Sequence, residues 1–297
     1  MKITLARHYG MCFGVRDALR STHELAGKKE VTILGQLVHN PVVDQHLNKL
    51  GVKKGALDSS DPAPTKDVVI TAHGASDKDR LRWSDAGHRV LDTTCPLVKK
   101  AHNALGRLVD AGYFPVVIGK AGHVEVKGLM GDFPQAATVL SYRDILKIGT
   151  HKKIGVVSQT TQPSDLVAEL VDQIRRTHPT ADVRFIDTVC QPTKDRQKSL
   201  HELATANEVV IVVGGANSNN TAQLARTAEK LGARAYHVEG PSGLRAEWFL
   251  GIETVGLTAG TSTLDETVSA VATELKKIAA AQKTRGLAST LRTLVGA

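Results

Sequence analysis

Three cysteines are the residues of this chain best suited to metal or redox chemistry, and their surroundings repeat. Cys95 lies in Asp92-Thr93-Thr94-Cys95-Pro96, Cys190 in Asp187-Thr188-Val189-Cys190-Gln191-Pro192, and Cys12 in Gly10-Met11-Cys12-Phe13-Gly14. After Cys95, Leu97, Val98, Ala101, Leu105 and Leu108 fall on one helical face; after Cys12, Val15, Ala18, Leu19 and Leu25 do the same. Each cysteine is expected at a turn from strand into helix. An odd number at wide spacing argues against a disulfide framework, and the absence of Cys-x-x-Cys argues against a zinc ribbon. On their own they also read as three buried structural thiols.

Counting onward from each cysteine changes their weight. His39 stands 27 residues past Cys12, His123 stands 28 past Cys95, and Ser218 stands 28 past Cys190. A third polar turn follows: Thr71-Ala72-His73-Gly74, Ser158-Gln159-Thr160-Thr161 and Thr258-Ala259-Gly260-Thr261-Ser262, with His73, Thr160 and Ser262 at 61, 65 and 72 residues. Any one of these turns is explained as an ordinary helix cap; nine at matching positions are not.

Three converging thiolates suit iron and sulfur, and a 4Fe-4S cubane on Cys12, Cys95 and Cys190 would leave one iron without a protein ligand. A three-cysteine zinc site with a histidine is the competing metal reading. His39, His73, His123, Thr160, Ser218, Asn219, Asn220 and Ser262 are mostly hydrogen-bond donors at expected helix starts, where a phosphate or diphosphate is favoured. Glu125, two residues past His123, has counterparts in Pro41 and Asn220, so only the second repeat offers a carboxyl there. It is a candidate acid, with Thr160 to relay a proton or orient it.

The elements that must position these residues follow from the same pattern. Short apolar runs at Val31 to Leu34, Val116 to Ile118 and Val209 to Val213 read as strands and alternate with helical patterns. That alternation predicts parallel sheets with ligands at the carboxyl ends of the strands. The third repeat lacks a last strand of its own, and Lys2 to Ala6 is expected to supply it. The predicted fold is α/β: three pseudo-threefold-related lobes, each a small parallel sheet with flanking helices, around a central cluster. The lobes are set at 13–94, 95–189 and 190–283, the last completed by 1–12, with 284–297 as a tail.

Composition narrows the partners. Aromatics are 4% against 41% hydrophobic residues, so the core is aliphatic, as parallel sheets require. No apolar run is long enough to cross a membrane, and the start reads as a strand rather than a signal peptide, so a cytoplasmic location is expected. The net charge of +8 raises an RNA-associated role, but no basic stretch is interleaved with aromatics and none is expected to bind nucleic acid. There is no Walker or Gly-x-Gly-x-x-Gly motif.

These residues resemble the 4-hydroxy-3-methylbut-2-enyl diphosphate reductase family of the non-mevalonate isoprenoid pathway. The matching stretches are Gly10 to Val15, Val38-His39-Asn40, Ala72-His73-Gly74, Asp92 to Val98, Gly122 to Glu125, Ser158 to Thr161, Asn217 to Asn220 and Thr258 to Ser262, in the family's order. The resemblance implies an oxidoreductase that removes the hydroxyl of a small allylic diphosphate with two electrons, forming isopentenyl and dimethylallyl diphosphate. It further implies a 4Fe-4S cofactor, ferredoxin or flavodoxin as electron donor, Glu125 with Thr160 and His123 in catalysis, and the diphosphate held by the histidines, Thr160, Ser218, Asn219, Asn220 and Ser262. The family usually has Ser, Gly or Ala where Asn219 stands and often Lys at Ala216. A paralogue for another small diphosphate and a non-catalytic iron–sulfur sensor are the alternatives.

Overall fold

The structure, a computed structural model, describes residues 1–38 and 40–295, with side chains through residue 284. The chain opens with β1 (Lys2–Leu5) and α1 (Phe13–Ala26), followed by β2 (Val31–Leu34), α2 (Pro41–Lys49), β3 (Lys53–Gly55), β4 (Asp67–Ile70), α3 (Asp77–Asp85) and β5 (Arg89–Asp92). Then come α4 (Pro96–Asp110), β6 (Phe114–Ile118), α5 (Val124–Met130), β7 (Ala137–Val139), α6 (Tyr142–Ile145), β8 (Lys153–Ser158), α7 (Ser164–Thr177) and β9 (Asp182–Phe185). The last repeat has α8 (Gln191–Ala206), β10 (Val209–Val213), α9 (Asn219–Lys230), β11 (Arg234–Val238), β12 (Thr254–Ala259) and α10 (Asp265–Val295).

These strands form three separate four-stranded sheets, ordered β3-β2-β4-β5, β7-β6-β8-β9 and β11-β10-β12-β1, with every pairing parallel. The order is the same each time, so the repeat in sequence is a repeat in topology. β1 takes the fourth place in the third sheet, with Lys2 beside Thr254 and Leu5 beside Leu257. The α/β class and the three small parallel sheets are as expected. The first strand of each sheet, β3, β7 or β11, is an addition: Lys53-Lys54-Gly55 is exposed or half-buried and has no apolar run to announce it.

Central strands are buried on both faces, as crossover helices require. All four residues of β4 and all five of β10 are buried, and their sequences are accordingly near-continuous Val and Ile. Each such side chain contributes on the order of 1.5–3 kcal/mol of burial. Leu105, Leu108, Val117 and Val157 pack one face of the second sheet, and Ile154, Val167, Leu170 and Ile174 the other. The chain divides into two compact units, residues 12–194 with the first two sheets, and residues 1–11 with the chain from Asp195 onward. The boundary expected after 283 falls inside α10. No helix among the described residues is long and apolar enough to cross a membrane.

Candidate active site

The unit spanning 12–194 contains all three cysteines, each at the start of a helix. Cys12 caps α1 and its carbonyl accepts from the Arg16 amide at 3.0 Å. Cys95 caps α4, with Pro96 pre-shaped for the first helical position. The Cys190 carbonyl accepts from the amides of Thr193 and Lys194 at 2.9 and 3.1 Å as α8 begins. All three thiols are free and half-buried. A helix start favours thiolate, but burial pushes Cys95 up against the opposing amides of Leu97 and Val98. Burial likewise pushes Cys190 up to about 11, with the Thr193 hydroxyl 3.1 Å away opposing it. Cys12 and Glu125 each act electrostatically on both other thiols, raising them further. Mutually repelling thiolates of this kind are stabilised by a cationic metal group.

A single tetrahedral zinc at about 2.3 Å from each sulfur would draw the sulfurs close together. Among the described residues, the group of three His, Cys, Asp or Glu whose ligand atoms lie within 4.8 Å of one another is Asp77, His102 and Asp132, not the cysteines. The three cysteine sulfurs therefore do not all lie within 4.8 Å of one another, a spacing that leaves room for a polynuclear cluster. Space is tight beside them: a Cβ on Gly14 would fall 2.4 Å from the Cys95 sulfur, so α1 can pass Cys95 only with glycine there. The Asp77, His102 and Asp132 group has a structural explanation. Asp132 accepts from the amides of Asp77 and Lys78 at 2.7 and 3.0 Å and contacts His102 Nε2 at 3.0 Å. It is a long-range cap on α3, at a helix start that disfavours a cation.

The polar turns attach to the cysteines through the backbone. The Cys95 amide donates to the Ala72 carbonyl at 3.1 Å, so His73 stands one residue from a group that holds Cys95. Gly74, at φ +82°, closes this turn, and a Cβ there would meet Thr94 Cγ2 at 2.8 Å. The Cys190 amide donates to the Thr160 carbonyl at 2.9 Å. The Thr160 amide in turn donates to Glu125 Oε1 at 2.6 Å. One residue thus joins the carboxyl to the cysteine. Glu125 is 2% exposed, and burial raises its pKa to about 7 despite the amide and hydroxyl of Thr160. That value suits a group that is to give up a proton near neutrality. His123 caps α5, its Nδ1 accepting the Glu125 amide at 3.1 Å, which leaves Nε2 to carry the proton of the neutral ring. The rings of His73 and His123 meet edge to face, with centroids 5.6 Å apart. His39 lies outside the described residues.

The structure corrects one equivalence between the repeats. The caps of α2, α5 and α9 are Asn40, His123 and Ser218. All three stand 28 residues past their cysteines, and His39 precedes its cap by one. The counterpart of Glu125, two past the cap, is Val42 in the first repeat rather than Pro41.

In the other unit, Ser218 caps α9, accepting from the Thr221 amide at 3.3 Å. Ser218, Asn220 and Ser262 are buried, at 4%, 8% and 5% exposure. The Asn219 and Asn220 side-chain nitrogens and the Thr258 hydroxyl are buried without a partner among the described residues. Unpaired buried donors cost on the order of 1–3 kcal/mol each, and an anion at this helix start would satisfy them. Thr258, at the end of β12, opens the third polar turn, in which the sequence pattern named Ser262 as the donor. Arg196 was missed. It is 7% exposed and donates to the Gly10 carbonyl from Nε and Nη2 at 3.2 and 2.6 Å, holding the segment before Cys12. The Gly10 amide meets the Ala259 carbonyl at 3.2 Å, the third instance of the turn-to-cysteine tie, displaced by two residues.

Comparison with known proteins agrees with this layout. The LytB protein family matches residues 3–276. The 4-hydroxy-3-methylbut-2-enyl diphosphate reductase of Aquifex aeolicus is 34% identical over 286 residues, covering 94% of this chain and 98% of its own. The protein of the same name from Trichlorobacter lovleyi is 38% identical over 267 residues, covering 89% and 93%. A solved structure of (E)-4-hydroxy-3-methyl-but-2-enyl diphosphate reductase, described as the terminal enzyme of the non-mevalonate pathway, superposes with a TM-score of 0.67 at 33% identity, over 93% of this chain and 100% of that one. The E-1-hydroxy-2-methyl-but-2-enyl-4-diphosphate reductase of Plasmodium falciparum superposes with a TM-score of 0.84 at 25% identity, over 90% and 85%.

Proposed function

The chain belongs to the LytB protein family, and from that premise we propose that it reduces (E)-4-hydroxy-3-methylbut-2-enyl diphosphate to isopentenyl and dimethylallyl diphosphate. The overall change replaces the allylic hydroxyl by hydrogen, consuming two electrons and two protons and releasing water. Cys12, Cys95 and Cys190 would hold a 4Fe-4S cluster, which when bound supplies the electrons and an open coordination position. Wide sulfur spacing and the mutual effect of the thiols support this donor set. Ferredoxin or flavodoxin would renew the electrons.

The chain's own residues do the rest. Glu125 is the proton donor, and the observation that carries the proposal is its burial with a pKa of about 7, tied through Thr160 to Cys190. Burial keeps the carboxyl protonated at the pH where a proton is needed, and the Thr160 amide holds its Oε1 in place. His39, His73, His123, Thr160, Ser218, Asn219, Asn220 and Ser262 are assigned to the diphosphate, from their places in the repeat and the donors they present. One lobe is assigned to each repeat, with the boundaries given above.

Anaerobic purification with iron and sulfide analysis, then turnover of the allylic diphosphate with a strong one-electron reductant, tests the proposal. A brown protein with about four irons per chain that forms the two diphosphate products is expected. A preparation inert after cluster reconstitution refutes it. Asn219 favours one variation, a paralogue for another small diphosphate, and competition between the two substrates decides that.

A further inference from the structure

Two glutamines, Gln159 and Gln162, lie at the turn that carries Thr160, both fully buried, and the proposed mechanism uses neither. A buried primary amide is costly unless its groups are paired. Gln159 Oε1 accepts from the Lys120 amide at 3.1 Å and from Gln162 Nε2 at 2.9 Å, and its Nε2 donates to Thr161 Oγ1 at 3.2 Å. The Lys120 contact closes a ring. The Lys120 carbonyl accepts from the His123 amide at 3.1 Å, and His123 Nδ1 accepts from the Glu125 amide at 3.1 Å. Glu125 Oε1 accepts from the Thr160 amide at 2.6 Å, and Thr160 follows Gln159 in the chain, so the ring returns to its start. The two turns it joins also approach closely. A Cβ on Gly119 would fall 3.0 Å from Gln159 Cβ and 2.8 Å from Val126 Cγ2. The other repeats lack this brace. The Gln159 amide donates to the Ile118 carbonyl at 2.8 Å, and its carbonyl accepts from the Gln162 amide at 3.1 Å. Gly260 does the same with Val213 and Thr263, at 2.9 and 3.1 Å, and the Thr71 carbonyl accepts from the Gly74 amide at 3.0 Å. Thr71, Gln159 and Gly260 are therefore one position of the repeat. A Cβ on Gly260 would fall 2.2 Å from Thr221 Oγ1, so the third repeat has no room for a side chain there. The repeat that carries the carboxyl is the one that carries the amide.

We propose that Gln159 is the positioning residue for Glu125, holding the turn that carries the carboxyl at a fixed distance from the turn that carries Thr160. The inference rests on the reductase reading, in which Glu125 gives the proton, and adds the residue that sets where its carboxyl stands. The carboxyl belongs to the start of α5 and the amide that holds it to the end of β8. Any sliding of one turn past the other stretches that contact, and the Gln159 amide spans the same gap from the other end. Proton delivery needs heavy atoms within about 2.6–3.2 Å, and a misplacement of about 1 Å is enough to cost up to about 10²-fold in rate. A buried hydrogen-bond network of this kind supplies the stiffness.

Gln159→Met tests this, since methionine keeps an unbranched chain of similar length and removes the amide; Gln159→Leu takes its place if that variant does not fold. Gln162→Met is the control, removing a buried amide from the same cluster while leaving the ring from Lys120 to Thr160 intact. Hydrogen exchange read by mass spectrometry on the anaerobically purified proteins reports on the brace without turnover. In Gln159→Met the peptides carrying Lys120 and Thr160 are expected to exchange at least about tenfold faster, and in the control within about twofold of the unaltered protein. In turnover of the allylic diphosphate, Gln159→Met is expected to lose at least about tenfold in kcat with KM changed less than about twofold, and the control to change neither. Unchanged protection of the Thr160 peptide in Gln159→Met overturns the proposal, because the turns would then hold without the amide. Equal losses of kcat in the two variants overturn it as well, because general loosening would then account for them. If the unaltered, cluster-loaded protein turns over no substrate, the reductase reading fails, and the exchange rates still decide whether Gln159 braces the two turns.

Discussion

Glu125→Gln separates the proton from the shape of the site, because glutamine keeps the length of the side chain and an oxygen for the Thr160 amide but cannot ionise. In the cluster-free protein the consequence is a pH-dependent stability difference. Burial raises the Glu125 carboxyl from 4.5 to about 7. Between those values the folded chain holds a proton there that the unfolded chain has released, so stability falls as pH rises. Below the unfolded value the group contributes nothing to the slope, and above the folded value the loss is complete. A rise of this size corresponds to about 3 kcal/mol, at roughly 1.4 kcal/mol per pH unit. Urea unfolding of both proteins across this range gives the difference directly, and all other titrating groups cancel in it. The glutamine variant is expected to match the unaltered protein at acid pH and to become more stable by up to about 3 kcal/mol above neutrality. A flat difference would show that Glu125 is ionised throughout and refute its assignment as a neutral acid. In the cluster-loaded enzyme the same variant is expected to bind substrate and lose about 10²–10⁴-fold in turnover.

Thr160→Val removes the hydroxyl that helps lower Glu125 but keeps the backbone amide; the pH at which the stability difference develops is expected to move upward, measured by repeating the glutamine comparison in this background. Gly14→Ala places a methyl 2.4 Å from the Cys95 sulfur, and iron bound per chain is expected to fall below half, read by iron analysis and visible absorbance. Asp132→Ala leaves the Asp77 and Lys78 amides without their acceptor, with an expected stability loss of about 1–2 kcal/mol in urea.

The sheets were legible where strands are buried on both faces, because Val209 to Val213 is short, wholly β-branched and bounded by polar turns. The edge strands β3, β7 and β11 were not: Lys53-Lys54-Gly55 pairs by backbone alone, and both its lysines are exposed. The cysteines and polar turns were legible because the chain states the pattern three times. Arg196 was not, since its role depends on a contact that only the folded chain makes, with Gly10 186 residues away. The Asp132 cap on α3 is hidden for the same reason, at a separation of 55 residues.

The assignment of one proton donor to a threefold repeat survives the single-residue offset at the first cap, since neither Pro41 nor Val42 carries a carboxyl. With caps at Asn40, His123 and Ser218, the position two residues further holds Val42, Glu125 and Asn220. Val42 is apolar and 44% exposed, Asn220 is a buried neutral amide, and Glu125 is a buried acid. One backbone position therefore presents three chemistries: none, a donor for an anion, and a proton near neutrality. A second carboxylate close by would repel the first and compete for one proton, while a carboxylate among the diphosphate donors would repel the substrate. Confining the acid to the second repeat, where Thr160 ties it to Cys190, would put the proton beside the proposed cluster ligands and leave the third repeat's donors to the proposed diphosphate.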